Sequence, residues 1–279
     1  MKSIFDKVSS ECSKKVTKEY STSFSLATKM LAPSIRQHIY NIYGFVRFAD
    51  EIVDSFHDFD KEDLLLTFET DLYKAIKDGI SLNPILNSFQ HTFHQFNIDI
   101  NHVDAFLSSM KMDLYKDTYL THDEYKKYIY RSADVVGLMC LKVFVKGDDL
   151  NYNELKGSAM SLGSAFQKVN FLRDLKTDFN DLNRSYFPDT NLCNLDEKAK
   201  TKIITEIEED FKKGYEGIIK LPVEAKLGVF TAYRYYKKLL QKLKETPSKE
   251  IMTKRIRIPN HRKFSLLARC YVTCQLNFI

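Results

Sequence analysis

The sequence predicts an all-α protein, and three observations carry the prediction. It has 9 Gly and 6 Pro in 279 residues, about half the usual share and too few for the turns of a sandwich or barrel. Apolar residues recur at i, i+3 and i+4 through most of the chain, which is the period of a helix with one buried face. With 44% hydrophobic and 28% charged residues the chain can bury a large core, which excludes disorder over most of its length. No composition break or internal repeat divides it, so residues 1–279 read as one domain.

The elements follow in order. Pro33 suits a first helical turn, and Ile35, Ile39, Ile42, Tyr43 and Val46 extend a helix to about Phe56. Leu64, Leu65, Phe68, Leu72 and Ile76 mark the next, which Gly79 stops. Further helices are predicted over Val103 to Leu114, Asp123 to Val145 and Tyr152 to Leu182, the last two joined by a turn at Gly147-Asp148-Asp149. Pro188 closes that region. Leu195 to Ile219 and Pro222 to Leu243 follow, with Pro222 as a second first-turn proline. Ile256-Arg257-Ile258-Pro259 alternates, and Lys263 to Val272 is helical again. The connections fall near 79–84, 147–151 and 184–195.

Several function classes drop out. A net charge of +5 with no block of like charge gives no nucleic-acid footprint. The cysteines Cys12, Cys140, Cys193, Cys270 and Cys274 are odd in number and form no CxxC pair, which argues against a disulfide framework or zinc knuckle and fits a reducing cytosol. The longest uncharged apolar run, Val135 to Leu141, is far short of the ~18 residues that span a bilayer. The expected location is cytoplasmic, with at most peripheral contact at the inner membrane face. The seven histidines are scattered, and His91 and His94 lack the partners a zinc site needs.

Two acidic constellations carry the chemistry. In Arg47-Phe48-Ala49-Asp50-Glu51-Ile52-Val53-Asp54, Asp50 and Asp54 are i,i+4 and share a helix face, with Glu51 beside them. In Gln167-Lys168-Val169-Asn170-Phe171-Leu172-Arg173-Asp174-Leu175-Lys176-Thr177-Asp178, Asn170, Asp174 and Asp178 form an i, i+4, i+8 row that Gln167 extends. Taken singly, each is most simply a solvated face with surface ion pairs. Taken together, two oxygen-bearing rows, each beside an arginine and flanked by core residues, suit Mg²⁺ bound by a few carboxylates and the oxygens of a diphosphate. Mn²⁺ would fit the same donors. Arg47 and Arg173 lie within a turn of the carboxylates.

The two rows resemble the aspartate-rich motifs of the squalene/phytoene synthase family. Three more segments fall in that family's order: Tyr20-Ser21-Thr22-Ser23-Phe24-Ser25, Tyr130-Arg131-Ser132-Ala133-Asp134-Val135-Val136-Gly137 and Asn183-Arg184-Ser185-Tyr186-Phe187-Pro188. The resemblance spans roughly residues 15 to 275. Asp134 stands where the family often has Gly, and Glu51 where many members have Asp. The resemblance implies an isoprenoid synthase-type helical bundle with a central cavity, and head-to-head condensation of two prenyl diphosphates through a cyclopropyl diphosphate. It implies that Asp50, Asp54, Asp174 and Asp178, with Glu51 and Asn170, bind the metal. It places Ser21, Ser23, Arg47, Arg173 and Arg255 at the diphosphates, Gln167 and Asn170 assisting at the metal and substrate beside them, Phe24 at the substrate, and Tyr130, Tyr186 and Tyr236 around the reacting carbons.

Within the family, Met112-Asp113-Leu114 and Val136-Gly137-Leu138-Met139 are most similar to bacterial phytoene synthases. The resemblance then implies two geranylgeranyl diphosphates as substrates, phytoene as product and no NADPH, in carotenoid biosynthesis. The alternatives are a dehydrosqualene or squalene synthase acting on farnesyl diphosphate, and a non-catalytic assembly or adaptor relative, which would need neither row. Thr28, four residues after Phe24, would leave room for the longer tail if that segment is helical. The basic stretch Arg255, Arg257, Arg262 and Lys263 reads as a solvated end, a diphosphate contact or an attachment to anionic membrane.

Overall fold

The computed structural model describes residues 1–116, 118–119, 121–180, 186–188 and 195–275, except the side chains of 177–180, 260, 261, 264 and 275. Every regular element among these residues is helical. They run α1 (Lys2–Tyr20), α2 (Thr22–Lys29), α3 (Pro33–Ser55), α4 (Lys61–Asp78), α5 (Pro84–Gln95), α6 (Ile100–Asp113), α7 (His122–Ile129), a π-helical turn (Tyr130–Asp134), α8 (Val135–Phe144), α9 (Asp149–Asn180), α10 (Glu197–Ile218), α11 (Val223–Glu245), α12 (Ser248–Ile251) and α13 (Asn260–Gln275). No helix among the described residues is long and apolar enough to cross a membrane.

Local chemistry sets the boundaries. The Asp60 carboxylate accepts from Asp63 N at 3.0 Å and starts α4. Gly79, at φ +69°, ends it in the left-handed conformation, its N–H bonded to Ala75 O at 2.9 Å. Thr121 and Glu124 form a capping box on α7. Pro33 and Pro84 occupy first turns, and Pro222 caps α11 from just outside it.

One predicted helix is corrected. Asp123 to Val145 is interrupted by the π-turn, whose carbonyls lie against α9. A Cβ on Gly163 would sit 3.0 Å from Ala133 O, and one on Gly137 3.1 Å from Ala159 O. Two glycines therefore let α9 and the α7–α8 segment approach backbone to backbone.

The helices have two ends. At one, Ala32 N donates to Glu224 O (2.9 Å), Lys146 pairs with Glu224 (2.5 Å) and Lys220 with Glu154 (2.9 Å). These contacts gather the α2–α3, α8–α9 and α10–α11 connections. From there α3, α9 and α11 run toward the opposite end, which carries both acidic rows. The core lies between, with Phe45 stacked on Phe89 at 4.2 Å on the α3 side and Phe171 on Tyr186 at 3.8 Å on the α9 side.

Candidate active site

A cavity of about 300 Å³ runs between α2, α3, the π-turn, α8, α9, α10 and α11. Its wall is apolar: Phe24, Ile42, Val46, Val136, Leu162 and Phe166 are representative. On α3 the lining stripe is Ile39, Ile42, Tyr43 and Val46, and the next residues along that stripe are Arg47 and Asp50. On α9 it is Leu155, Ser158, Ala159, Leu162, Gly163, Phe166 and Gln167, and next come Asn170 and Asp174. Both acidic rows thus continue cavity-lining stripes in the same sense and leave the chamber at one mouth.

Two tyrosines join the rows there. Tyr43 stacks on Phe24 at 4.8 Å between ring centroids. Burial, with the Asp50 charge, pushes its phenol up to about 12 against the opposing pull of Arg47. Tyr236 stacks on Phe166 at 4.1 Å and donates to Asn170 Oδ1 at 3.2 Å. Burial raises its phenol too, while Arg173 lowers it. Tyr43 and Tyr236 are close enough for a charge on one phenol to act on the other, which places the two walls of the mouth within electrostatic reach.

The arginines hold the carboxylates. Arg47 donates to Asp50 at 2.5 Å and to Glu51, and its guanidinium lies 4.5 Å from the Tyr20 ring centroid. Burial alone would lower its pKa, but Asp50 and Glu51 hold it above its ordinary value. Its Nε is buried with no acceptor among the described residues. Arg173 forks onto Asp174, with Nε to Oδ1 at 2.9 Å, and its pKa is raised in spite of burial because Asp174 is so close. Arg255 reaches the same carboxylate, Nε to Oδ1 at 2.7 Å. The basic stretch is therefore tied to the mouth through its first residue.

The remaining predicted residues fall as follows. Ser21 caps α2, accepting from Phe24 N at 3.2 Å, and its hydroxyl also bonds the Tyr43 phenol. Ser23 is half-buried in the first turn of α2. Phe24, Gln167 and Tyr236 line the cavity, as does Thr28, whose hydroxyl is turned onto Phe24 O at 2.8 Å. Asp54 is half-buried one turn beyond Asp50. Asp178 lies on α9, but its side chain is outside the described residues, as are Arg184 and Cys193.

Two of the predicted tyrosines stand outside the lining of this cavity. Tyr130 is 38% exposed and does not line the cavity. In an unbroken helix it would share a stripe with Ala133 and Gly137, but the wider π-turn takes it off that stripe and leaves Ser132, Ala133, Val136 and Gly137 inward. Tyr186 packs behind the α9 row on Phe171, Tyr128 and Tyr119, also away from the cavity.

The structure adds residues that the motifs did not name. Tyr20 and Tyr43 brace Arg47, and Tyr43 was legible as the i−4 neighbour of that arginine. Ser132 lines the cavity with a buried hydroxyl that has no partner among the described residues, and nothing in its local sequence signals this. Asp134 is buried and accepts from Ser164 Oγ at 2.7 Å, and burial pushes its carboxyl up to about 7. It faces Lys168, which pairs with Glu206 and, at 2.7 Å, with Asp210.

An apolar chamber mouthed by oxygen-bearing rows and arginines, in an all-helical bundle, defines an enzyme that receives a long hydrocarbon tail and its anionic head. Comparison with known proteins gives the family. The squalene/phytoene synthase family model matches residues 17–262. A phytoene synthase of Arthrospira platensis is 27% identical, the alignment covering 92% of this chain and 90% of the relative. The 15-cis-phytoene synthase of Synechocystis sp. is also 27% identical, over 95% and 85%. Among solved structures, a dehydrosqualene synthase in complex with ligand superposes with a TM-score of 0.83 at 19% identity, over 97% of this chain and 98% of that one. A squalene synthase from Alicyclobacillus acidocaldarius gives 0.76 at 20% identity, over 87% and 95%. The chain belongs to the squalene/phytoene synthase family and is an enzyme of the prenyltransferase type.

Proposed function

We propose that the protein joins two geranylgeranyl diphosphates head to head, through a cyclopropyl diphosphate, to phytoene, and that the reaction depends on Mg²⁺. The observation that carries the reading is the emergence of both acidic rows, with Arg47, Arg173 and Arg255, at one mouth of one apolar cavity. The full-length phytoene synthase relatives support the choice of product. So does depth: the α9 stripe from Leu155 to Gln167 rises about 18 Å. An extended chain of about sixteen main-chain carbons, with C–C bonds near 1.5 Å, spans roughly 19 Å.

The donor set fits Mg²⁺, since Asp50, Glu51, Asp54, Asn170, Asp174 and Asp178 offer oxygen only. Among the described residues no three acidic, His or Cys side chains converge on one point. Mg²⁺ commonly takes one or two carboxylates from a protein and its other ligands from phosphate and water. Bound there, Mg²⁺ would neutralise charge on the departing diphosphate.

The chain's own residues do the rest. Arg47, Arg173 and Arg255 give the diphosphate oxygens fixed donors, which stabilise the leaving group more than the ester. Ser21 and Ser23 stand at the N-terminus of α2, where backbone N–H groups favour an anion. The apolar lining keeps water from the allylic cation, and the faces of Phe24, Tyr43, Phe166 and Tyr236 offer it π density. The test is mass spectrometry of the hydrocarbon formed from each prenyl diphosphate, with and without NADPH. Phytoene from geranylgeranyl diphosphate without NADPH is expected. Exclusive use of farnesyl diphosphate would favour a dehydrosqualene or squalene synthase and overturn the reading.

A further inference from the structure

The end of the bundle opposite the acidic mouth is finished in an unusual way. Leu31 and Leu221, from the α2–α3 and α10–α11 connections, close the cavity from inside. On either side of Leu221 in the chain, Ile219 is 42% and Val223 83% exposed. Leu150, at the start of α9, is 85% exposed, and the Lys220–Glu154 and Lys146–Glu224 pairs bring its turn to the same end. Helix α1 adds to this end. Gln37 Nε2 donates to Ser10 O at 2.8 Å and Arg47 stacks on Tyr20, so α1 runs parallel to α3. Ile4 then lies about level with Leu31, and Ile4 and Val8, on one helical stripe, are 66% and 53% exposed.

The charges here are arranged for one kind of surface. Glu154, Glu224 and Asp149 are each paired with a lysine (Lys220, Lys146 and Lys142), and Glu216 acts on Lys220 as well. Asp148 is turned onto its own helix start, bonded to Leu150 N and Asn151. The cations Arg36 and Lys226 instead donate to the carbonyls of Leu31 and Ile219, and Lys7 and Lys29 are exposed on α1 and α2. Exposed aliphatics ringed by uncompensated cations match the interface of an anionic bilayer.

We propose that this end docks on an anionic membrane, with Leu150, Ile219 and Val223 entering the headgroup boundary. The chamber then stands on the bilayer with its diphosphate mouth toward water, and the cavity floor at Leu31 and Leu221 is the shortest route by which a hydrocarbon product leaves for lipid. The exit role rests on the proposed hydrocarbon product; the docking itself does not.

Flotation of the full chain with phosphatidylglycerol/phosphatidylcholine vesicles, against pure phosphatidylcholine, tests it. Binding to the anionic vesicles is expected to fall roughly tenfold in a Leu150→Asp/Val223→Asp double variant, with turnover in detergent unchanged. The chain contains no tryptophan, so Val223→Trp and Phe59→Trp each report a single site. Phe59 is 68% exposed and follows the acidic row of α3 at the other end. Emission should shift to the blue on vesicles for Val223→Trp alone. The proposal is overturned if the double variant binds like the parent, if no vesicle is bound, or if Arg257→Glu/Lys263→Glu abolishes binding instead. A shift of Val223→Trp on self-association without lipid would replace the membrane by a second copy. These readouts are independent of which hydrocarbon is formed.

Discussion

Thr28→Phe tests whether the cavity wall sets chain length. Thr28 is 3% exposed and lines the chamber one turn after Phe24, whose ring lies on Tyr43. The substitution gives up only a hydroxyl already bonded to its own helix at Phe24 O. It adds about four side-chain atoms to a cavity of about 300 Å³. At about 0.8 kcal/mol per buried CH₂, losing room for about four carbons costs the longer tail about 3 kcal/mol, or roughly 200-fold in relative kcat/KM. The assay is competition between geranylgeranyl and farnesyl diphosphate, read as the ratio of hydrocarbon products. A shift toward farnesyl diphosphate by about two orders of magnitude is expected. An unchanged ratio in a folded variant would refute the idea that this wall limits the tail.

Three further outcomes follow from the same geometry. Asp174→Asn keeps the shape that Arg173 and Arg255 grip but removes the charge, so turnover should fall at least ~100-fold while the helical circular dichroism stays. Asp134→Asn should change the pH dependence of stability. The folded chain keeps that carboxyl protonated up to about 7, against 3.8 unfolded, so the parent loses stability as pH rises between those values, by up to about 4 kcal/mol, and the variant does not. Melting curves of the pair should coincide in shape at low pH and diverge, with the variant gaining, by pH 8. Gly163→Ala would put a Cβ 3.0 Å from Ala133 O and should cost about 1–3 kcal/mol of overpacking, lowering Tm by roughly 2–4 °C per kcal/mol.

The helices with a strong apolar period were legible. The α3 boundaries follow from Pro33 and the Ile35–Val46 stripe, and α4 ends at Gly79 because no other residue type adopts φ +69° as easily. The two acidic rows were legible for a similar reason: period fixes which oxygens share a face. What local sequence could not supply were features that depend on contact between distant helices. Gly163 of α9 leaves room for the Ala133 carbonyl of the π-turn, and an unbroken helix would have put Tyr130 on the stripe of Ala133 and Gly137 instead. Tyr186 is drawn away from the cavity by an aromatic stack whose members lie far apart in the chain. Arg255 meets Asp174 across 81 residues, a pairing that no spacing rule contains. The burial of Asp134 likewise depends on Ser164 and Lys168 of another helix.

The central claim is that one diphosphate is held between the α3 row and the α9 row. A crystal structure with an unreactive thio-diphosphate analogue and Mn²⁺, phased at the manganese edge, locates the ions directly. Anomalous density should lie between Asp50 or Asp54 on one side and Asn170 or Asp174 on the other, with the tail running between Val46 and Phe166. Ions and diphosphate bound outside this mouth, with the two rows still closed on their arginines, would contradict the account.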